Sequence, residues 1–147
     1  FNAVNKVECF QRRVPLGITF SDPNIATLGE KYQSLKGRGA DFVTGRVSFE
    51  GQGRSIVKLK EQGLLHVYVD KKTGDILGAE LQAPGGEHLA HLLAWAISLK
   101  MTVFEALKMP FYHPVVEEGL RTALRDAARQ VGPNTNELFR CSDPPIR

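Results

Sequence analysis

His113, Pro114 and Glu118 are the residues of this 147-residue chain whose types and spacing could do chemistry. An imidazole changes charge near neutrality, and a carboxylate a turn and a half further on can hold its tautomer and raise its basicity. Together they have the make-up of a general acid/base unit. Both stand near the start of Pro110–Val131, PFYHPVVEEGLRTALRDAARQV, in which a loop ends at the histidine and an amphipathic helix follows. Pro114 reads as the first helical residue, a position where its missing N–H has no helical partner in any case. Val116, Leu120, Ala123, Leu124, Ala127 and Val131 recur at the spacing of a core-facing stripe, with Arg121, Arg125 and Arg129 nearly opposite. Glu118 lies on the far side, so it does not help to bury its own helix. The plainer alternative is a helix cap with a solvated glutamate, and spacing alone leaves both open.

Other candidates are weaker. Glu87-His88-x-x-His91 puts two histidines one turn apart, but the order differs from H-E-x-x-H and no third ligand stands nearby, so no metal site is expected. Gly37-x-Gly39 and Gly51-x-Gly53 lack the third glycine and the strand-to-helix context of a dinucleotide fingerprint and read as turns. His66 reads as a half-exposed strand residue. No serine sits in a nucleophile elbow. Cys9 and Cys141 lie near opposite ends and form no close pair, which favours reduced thiols and a cytoplasmic setting.

The elements that must position these groups are strands first and helices afterwards. Val14–Phe20, Ile25–Gly29, Asp41–Glu50, Ser55–Lys60, Leu64–Asp70 and Asp75–Gln82 read as strands, the last two joined through Lys71–Gly74 as a hairpin. Glu30–Leu35 reads as a weak helical turn. Pro84-Gly85-Gly86 breaks the pattern, and Glu87–Lys100 becomes a helix so apolar all round that it is either deep in a core or pressed against a partner. Thr102 can cap a short helix through Lys108, with Glu105 completing a capping box. The order implies an α+β fold, an antiparallel sheet with helices packed on one face. Residues 1–13 are expected to be a linker or arm, 14–132 one domain and 133–147 a tail, with Gly132-Pro133 stopping the last helix.

The whole chain sets limits. Its length suits one domain, and a formal charge of +3 without basic runs argues against nucleic acid. Leu89–Leu99, interrupted by His91, is too short to cross a bilayer. A start at Phe1 without methionine suggests a piece of a longer protein.

Three stretches, in order and at matching spacing, resemble one family. FSDPNIATLGE (Phe20–Glu30) is similar to F-T-D-P-E-x-A-x-V-G, Leu64–Leu107 is similar to a hairpin followed by interface helices, and HPVVEE (His113–Glu118) is similar to H-P-T-x-x-E. Over roughly Val14–Val131 the chain resembles the C-terminal dimerisation domain of the pyridine nucleotide–disulfide oxidoreductases, and among them dihydrolipoamide dehydrogenase. The resemblance implies a homodimer, upstream FAD- and NAD-binding domains, and FAD and NAD(P) in the intact enzyme, with none bound to this domain alone and no activity of the domain by itself. It implies that His113 is the acid/base serving the partner subunit's disulfide and flavin, with Glu118 orienting it and the His113–Pro114 backbone near the flavin. Val115 replaces the usual threonine, Tyr112 is bulky, and Glu117 replaces a small residue and so competes with Glu118 for the orienting role. A stand-alone, non-catalytic dimeric module of the same fold is the alternative.

Overall fold

A computed structural model describes residues 12–132, so the expectations for residues 1–11 and 133–147, both cysteines included, lie outside the described residues. Five strands, β1 (Leu16–Thr19), β2 (Asn24–Gly29), β3 (Phe42–Ser48), β4 (Leu64–Asp70) and β5 (Ile76–Ala83), form one antiparallel sheet in the order β1-β2-β5-β4-β3. Five helices join it among the described residues: α1 (Tyr32–Gly37), α2 (Gly53–Val57), α3 (Gly86–Ser98), α4 (Val103–Lys108) and α5 (Glu118–Val131).

Alternation decides the two faces of the sheet. Leu65, Val67 and Val69 of β4 and Ala79, Leu81 and Ala83 of β5 are buried on one side, where they meet Leu89, Ala90 and Leu93 of α3 and Leu120, Ala123 and Leu124 of α5. α3 lies over β2 and β5, and α5 over β3 and β4. The expected α+β arrangement is therefore found, with α3, α4 and α5 on this face. Tyr32 of α1 reaches the opposite face, its ring packing against Phe42 and Tyr68 at centroid distances of 5.7 and 5.9 Å.

Gly45 lets α5 lie directly on β3, because a methyl group there would overlap the Ala123 carbonyl oxygen. One turn further along, Asp126 accepts the Arg46 N–H at 2.9 Å. The short helix α4 begins as its sequence implies: Thr102 Oγ1 accepts the Glu105 N–H at 3.2 Å and Glu105 Oε2 accepts the Thr102 N–H at 2.7 Å.

Two expectations fail. Ser55–Lys60 is not a strand; residues 53–57 form α2, and Gln52 caps it by accepting the Ser55 N–H through Oε1 at 2.7 Å. Ile56, Val57 and Leu59 are all exposed, so the alternation that suggested a half-buried strand serves no sheet. Nor does Pro114 open the last helix. The His113–Pro114 peptide is cis and α5 starts at Glu118. The Val115 N–H is taken by Glu118 Oε2, and the Gly119 N–H bonds the Val116 carbonyl rather than that of Val115. The helical ladder therefore cannot extend back to the proline.

Candidate active site

His113 and Glu118 meet. The ring Nδ1 lies 3.0 Å from Oε1 and 3.1 Å from Oε2 of Glu118. A carboxylate only accepts, so the hydrogen on this bond belongs to Nδ1, and on the neutral ring Nε2 carries the lone pair. The His113 side chain is 80% exposed and that of Glu118 is 30% exposed. Glu117, the competing carboxylate, instead contributes to the wall of a neighbouring groove. Glu118 is thus the group that holds the ring.

The support comes from three segments. Pro110–Glu117 supplies the loop, α5 supplies Glu118, and α2 reaches in from far away in sequence. Glu118 Oε2 accepts the Val115 N–H at 3.2 Å, while Gln52 Nε2 donates to the Val115 carbonyl at 2.8 Å. Phe49, fully buried, stands against Gly119, where an added Cβ would come within 2.6 Å of the ring. The Arg121 guanidinium lies 5.7 Å from the centroid of Phe111, two residues before the histidine. Nothing local in the sequence hints at the Gln52 contact, because its partner is 63 residues away.

The Glu118 carboxyl is held below its ordinary range, first by the hydrogen bond from His113, then by the Val115 N–H. A depressed carboxyl pKa means that the contact stabilises fully above the ordinary glutamate value and is lost as pH falls through the lower, folded value. On acidification the Val115 amide is therefore expected to keep its folded NMR shift across the ordinary glutamate range and to move only below it. The Glu118→Gln variant should show no such step. A Val115 step at or above the ordinary glutamate value would contradict this.

Beside the loop lies an apolar groove of about 420 Å3 between α3, α4 and α5, walled by Leu92, Trp95, Leu99, Met109 and Tyr112 among others. α3 carries two apolar stripes. Leu89, Ala90, Leu93 and Ala96 face the sheet, while Leu92, Trp95 and Leu99 face outward, with Trp95 64% and Leu99 74% exposed. Tyr112 and Glu117, which flank the histidine loop, also wall the groove. His88 and His91 do not converge: His91 Nδ1 pairs with the Glu87 carbonyl at 2.7 Å, and His88 lies 3.7 Å from the Glu87 carboxylate. Among the described residues no group of three or more His, Cys, Asp or Glu is placed to hold a metal ion, and no helix is long and apolar enough to cross a membrane.

Comparison with known proteins decides the family. The dimerisation-domain model of the pyridine nucleotide-disulphide oxidoreductases matches residues 16–124. The chain belongs to that family. Its dimerisation domain is similar to the dihydrolipoyl dehydrogenase of Rhizobium etli, 34% identical over 119 residues, a match covering 81% of this chain and 24% of that protein. It is likewise 29% identical to the dihydrolipoyl dehydrogenase of Haloferax volcanii over 117 residues, 80% of this chain and 24% of that one. The likeness to dihydrolipoamide dehydrogenase read from the sequence is borne out, and the chain spans about a quarter of the length of these relatives. Among solved structures, the dimerisation domain superposes on the flavoprotein disulfide reductase RclA of Escherichia coli with a TM-score of 0.73 at 21% identity, covering 78% of this chain and 26% of that one. LpdA of Mycobacterium tuberculosis gives a TM-score of 0.73 at 20% identity, covering 82% and 26%. At these identities the two structures speak for the fold.

Proposed function

We propose that residues 14–132 are the dimerisation domain of a cytoplasmic, homodimeric, FAD- and NAD(P)-dependent disulfide oxidoreductase of the dihydrolipoamide dehydrogenase type. In this reading the domain pairs with a second copy through the outer stripe of α3 and lends His113 to the partner subunit's reaction centre. By itself, without the FAD- and NAD-binding domains upstream, it is inactive. The observation that carries the reading is an exposed imidazole, fixed through Nδ1 by Glu118, at the rim of an apolar surface that no other element among the described residues covers. An acid/base whose substrate lay in its own subunit would be expected to turn inward. This one stands outward, beside the side chains that a second subunit would cover.

His113 and Pro114 are both exposed at the loop's outer side, which suits the edge of a flat group held by the partner. Bound there, a flavin would supply electron transfer between the nicotinamide and a disulfide. The work of this chain is proton handling. With Nδ1–H committed to Glu118, Nε2 takes the proton of a dithiol as the thiolate forms, since the thiolate is the reacting species. The imidazolium so formed stays paired with Glu118, and its charge favours the thiolate until the proton is returned. Tyr112, exposed and adjacent to His113 in the chain, would brush a bulky substrate as it enters.

Mixed dimers test the sharing. When His113→Ala subunits are combined with subunits lacking the redox cysteines upstream, each parent is expected to be inactive. The mixture should regain up to a quarter of wild-type turnover, because one of the two sites in each mixed dimer is then whole. Mixed dimers that form but stay inactive would refute a histidine working across the two-fold axis, and the absence of upstream C-x-x-x-x-C and G-x-G-x-x-G motifs would favour the non-catalytic module.

A further inference from the structure

An imidazole on an exposed loop keeps one orientation only if the backbone beneath it is held, and the hydrogen bonds below His113 lead to α2. The Val115 backbone is fastened on both sides of its Cα: its N–H to the carboxylate that holds the histidine, at 3.2 Å, and its carbonyl to Gln52 Nε2, at 2.8 Å. Both ends of the Gln52 amide are in use. Oε1 must be the end that accepts the Ser55 N–H, at 2.7 Å, so the opposite end is the donor and is aimed at Val115. Gln52 is half-buried between the two segments, and its own N–H bonds the carbonyl of Phe49 at 3.1 Å. Phe49 in turn packs on Gly119, the residue after Glu118. Residues 49–52 therefore touch the support of the pair at both the Val115 carbonyl and the first turn of α5.

We propose that Gln52 is a positioning residue: its Nε2 fixes the Val115 carbonyl, and through the Val115 backbone and Glu118 it sets the tautomer and direction of His113. The importance of this for turnover rests on the acid/base reading above, but the geometric claim does not.

Two variants of the 147-residue chain separate positioning from helix capping. Gln52→Glu keeps the length and the acceptor for the Ser55 N–H but has no donor for Val115. Gln52→Ala loses both. The readout is the 15N shift pair of the His113 ring, taken above its titration, where the neutral tautomers are compared and an added charge that merely displaces the titration is not counted. Wild type is expected to be mostly Nδ1–H. In both variants the ratio of Nδ1–H to Nε2–H should fall about fivefold, the worth of one neutral hydrogen bond. A change in Gln52→Ala alone would reduce Gln52 to a cap of α2 and overturn the proposal, as would no change in either. If Gln52→Ala does not fold, Gln52→Glu decides alone. If the ratio moves as expected while His113→Ala leaves turnover of the intact enzyme intact, the catalytic reading fails and the positioning role stands.

Discussion

His113→Ala, in a protein that joins this domain to flavin- and nucleotide-binding domains, is expected to lower disulfide turnover by roughly 10²–10⁴-fold, the usual worth of a positioned acid/base. The flavin spectrum and the unfolding temperature should hardly move. The ring is 80% exposed and packs into no core, so its removal opens no cavity. His113→Gln should be no better, since an amide can hydrogen-bond but cannot carry the proton. Glu118→Ala should fall between wild type and His113→Ala, because the ring would survive but lose the partner that selects its tautomer. The measurement is kcat with the flavin absorbance recorded on the same samples. Normal turnover by His113→Ala would remove the catalytic role, whatever the fold.

Trp95→Glu is expected to separate the subunits. Trp95 is 64% exposed on the outer stripe of α3, flanked by Leu92 and Leu99, and the groove beside it offers a partner side chain somewhere to insert. Exposed aromatics at the centre of an interface commonly carry about 2–4 kcal/mol of binding, roughly 30- to 1000-fold in Kd. A carboxylate placed there adds the burden of being desolvated without a partner. Sedimentation equilibrium of the 147-residue chain should show a dimer weakened by that factor, while the far-ultraviolet circular dichroism stays the same. Identical association of wild type and variant would shift the interface away from α3. If activity depends on the shared histidine, the intact Trp95→Glu enzyme should also lose turnover on dilution more readily than wild type.

Much of this arrangement is legible in the sequence wherever a local rule and the tertiary context agree. β4 has the bounds its alternation implies, Leu64–Asp70, since one face is core and the next residues can only turn. The capping box at Thr102 and Glu105 is fully local. The apolar circumference of Glu87–Lys100 leaves two possibilities, and exposure of Leu92, Trp95 and Leu99 favours a partner-facing side over a fully buried helix. α2 is not legible because five residues are too few to show a helical period, and Ile56, Val57 and Leu59 happen to alternate with polar neighbours. Pro114 departs from its local rule for a different reason. The first-position rule describes what proline permits, whereas side chains from α5 and α2 determine where this helix can start. The choice between Glu117 and Glu118 was likewise beyond a one-dimensional reading, since both lie within reach of the loop and only the direction of the first turn separates them.

The close approach of Phe49 to Gly119 makes the His-Pro segment something other than a transplantable cassette. A graft of residues 113–118 into a relative with a larger residue after the glutamate would meet no matching hollow underneath. Conversely, Gly119→Ala here would press a methyl group against an aromatic ring that has nowhere to retreat. Loop, first turn and the strand-end phenylalanine would have to be exchanged together, and redesign of substrate scope at this rim is a three-segment problem.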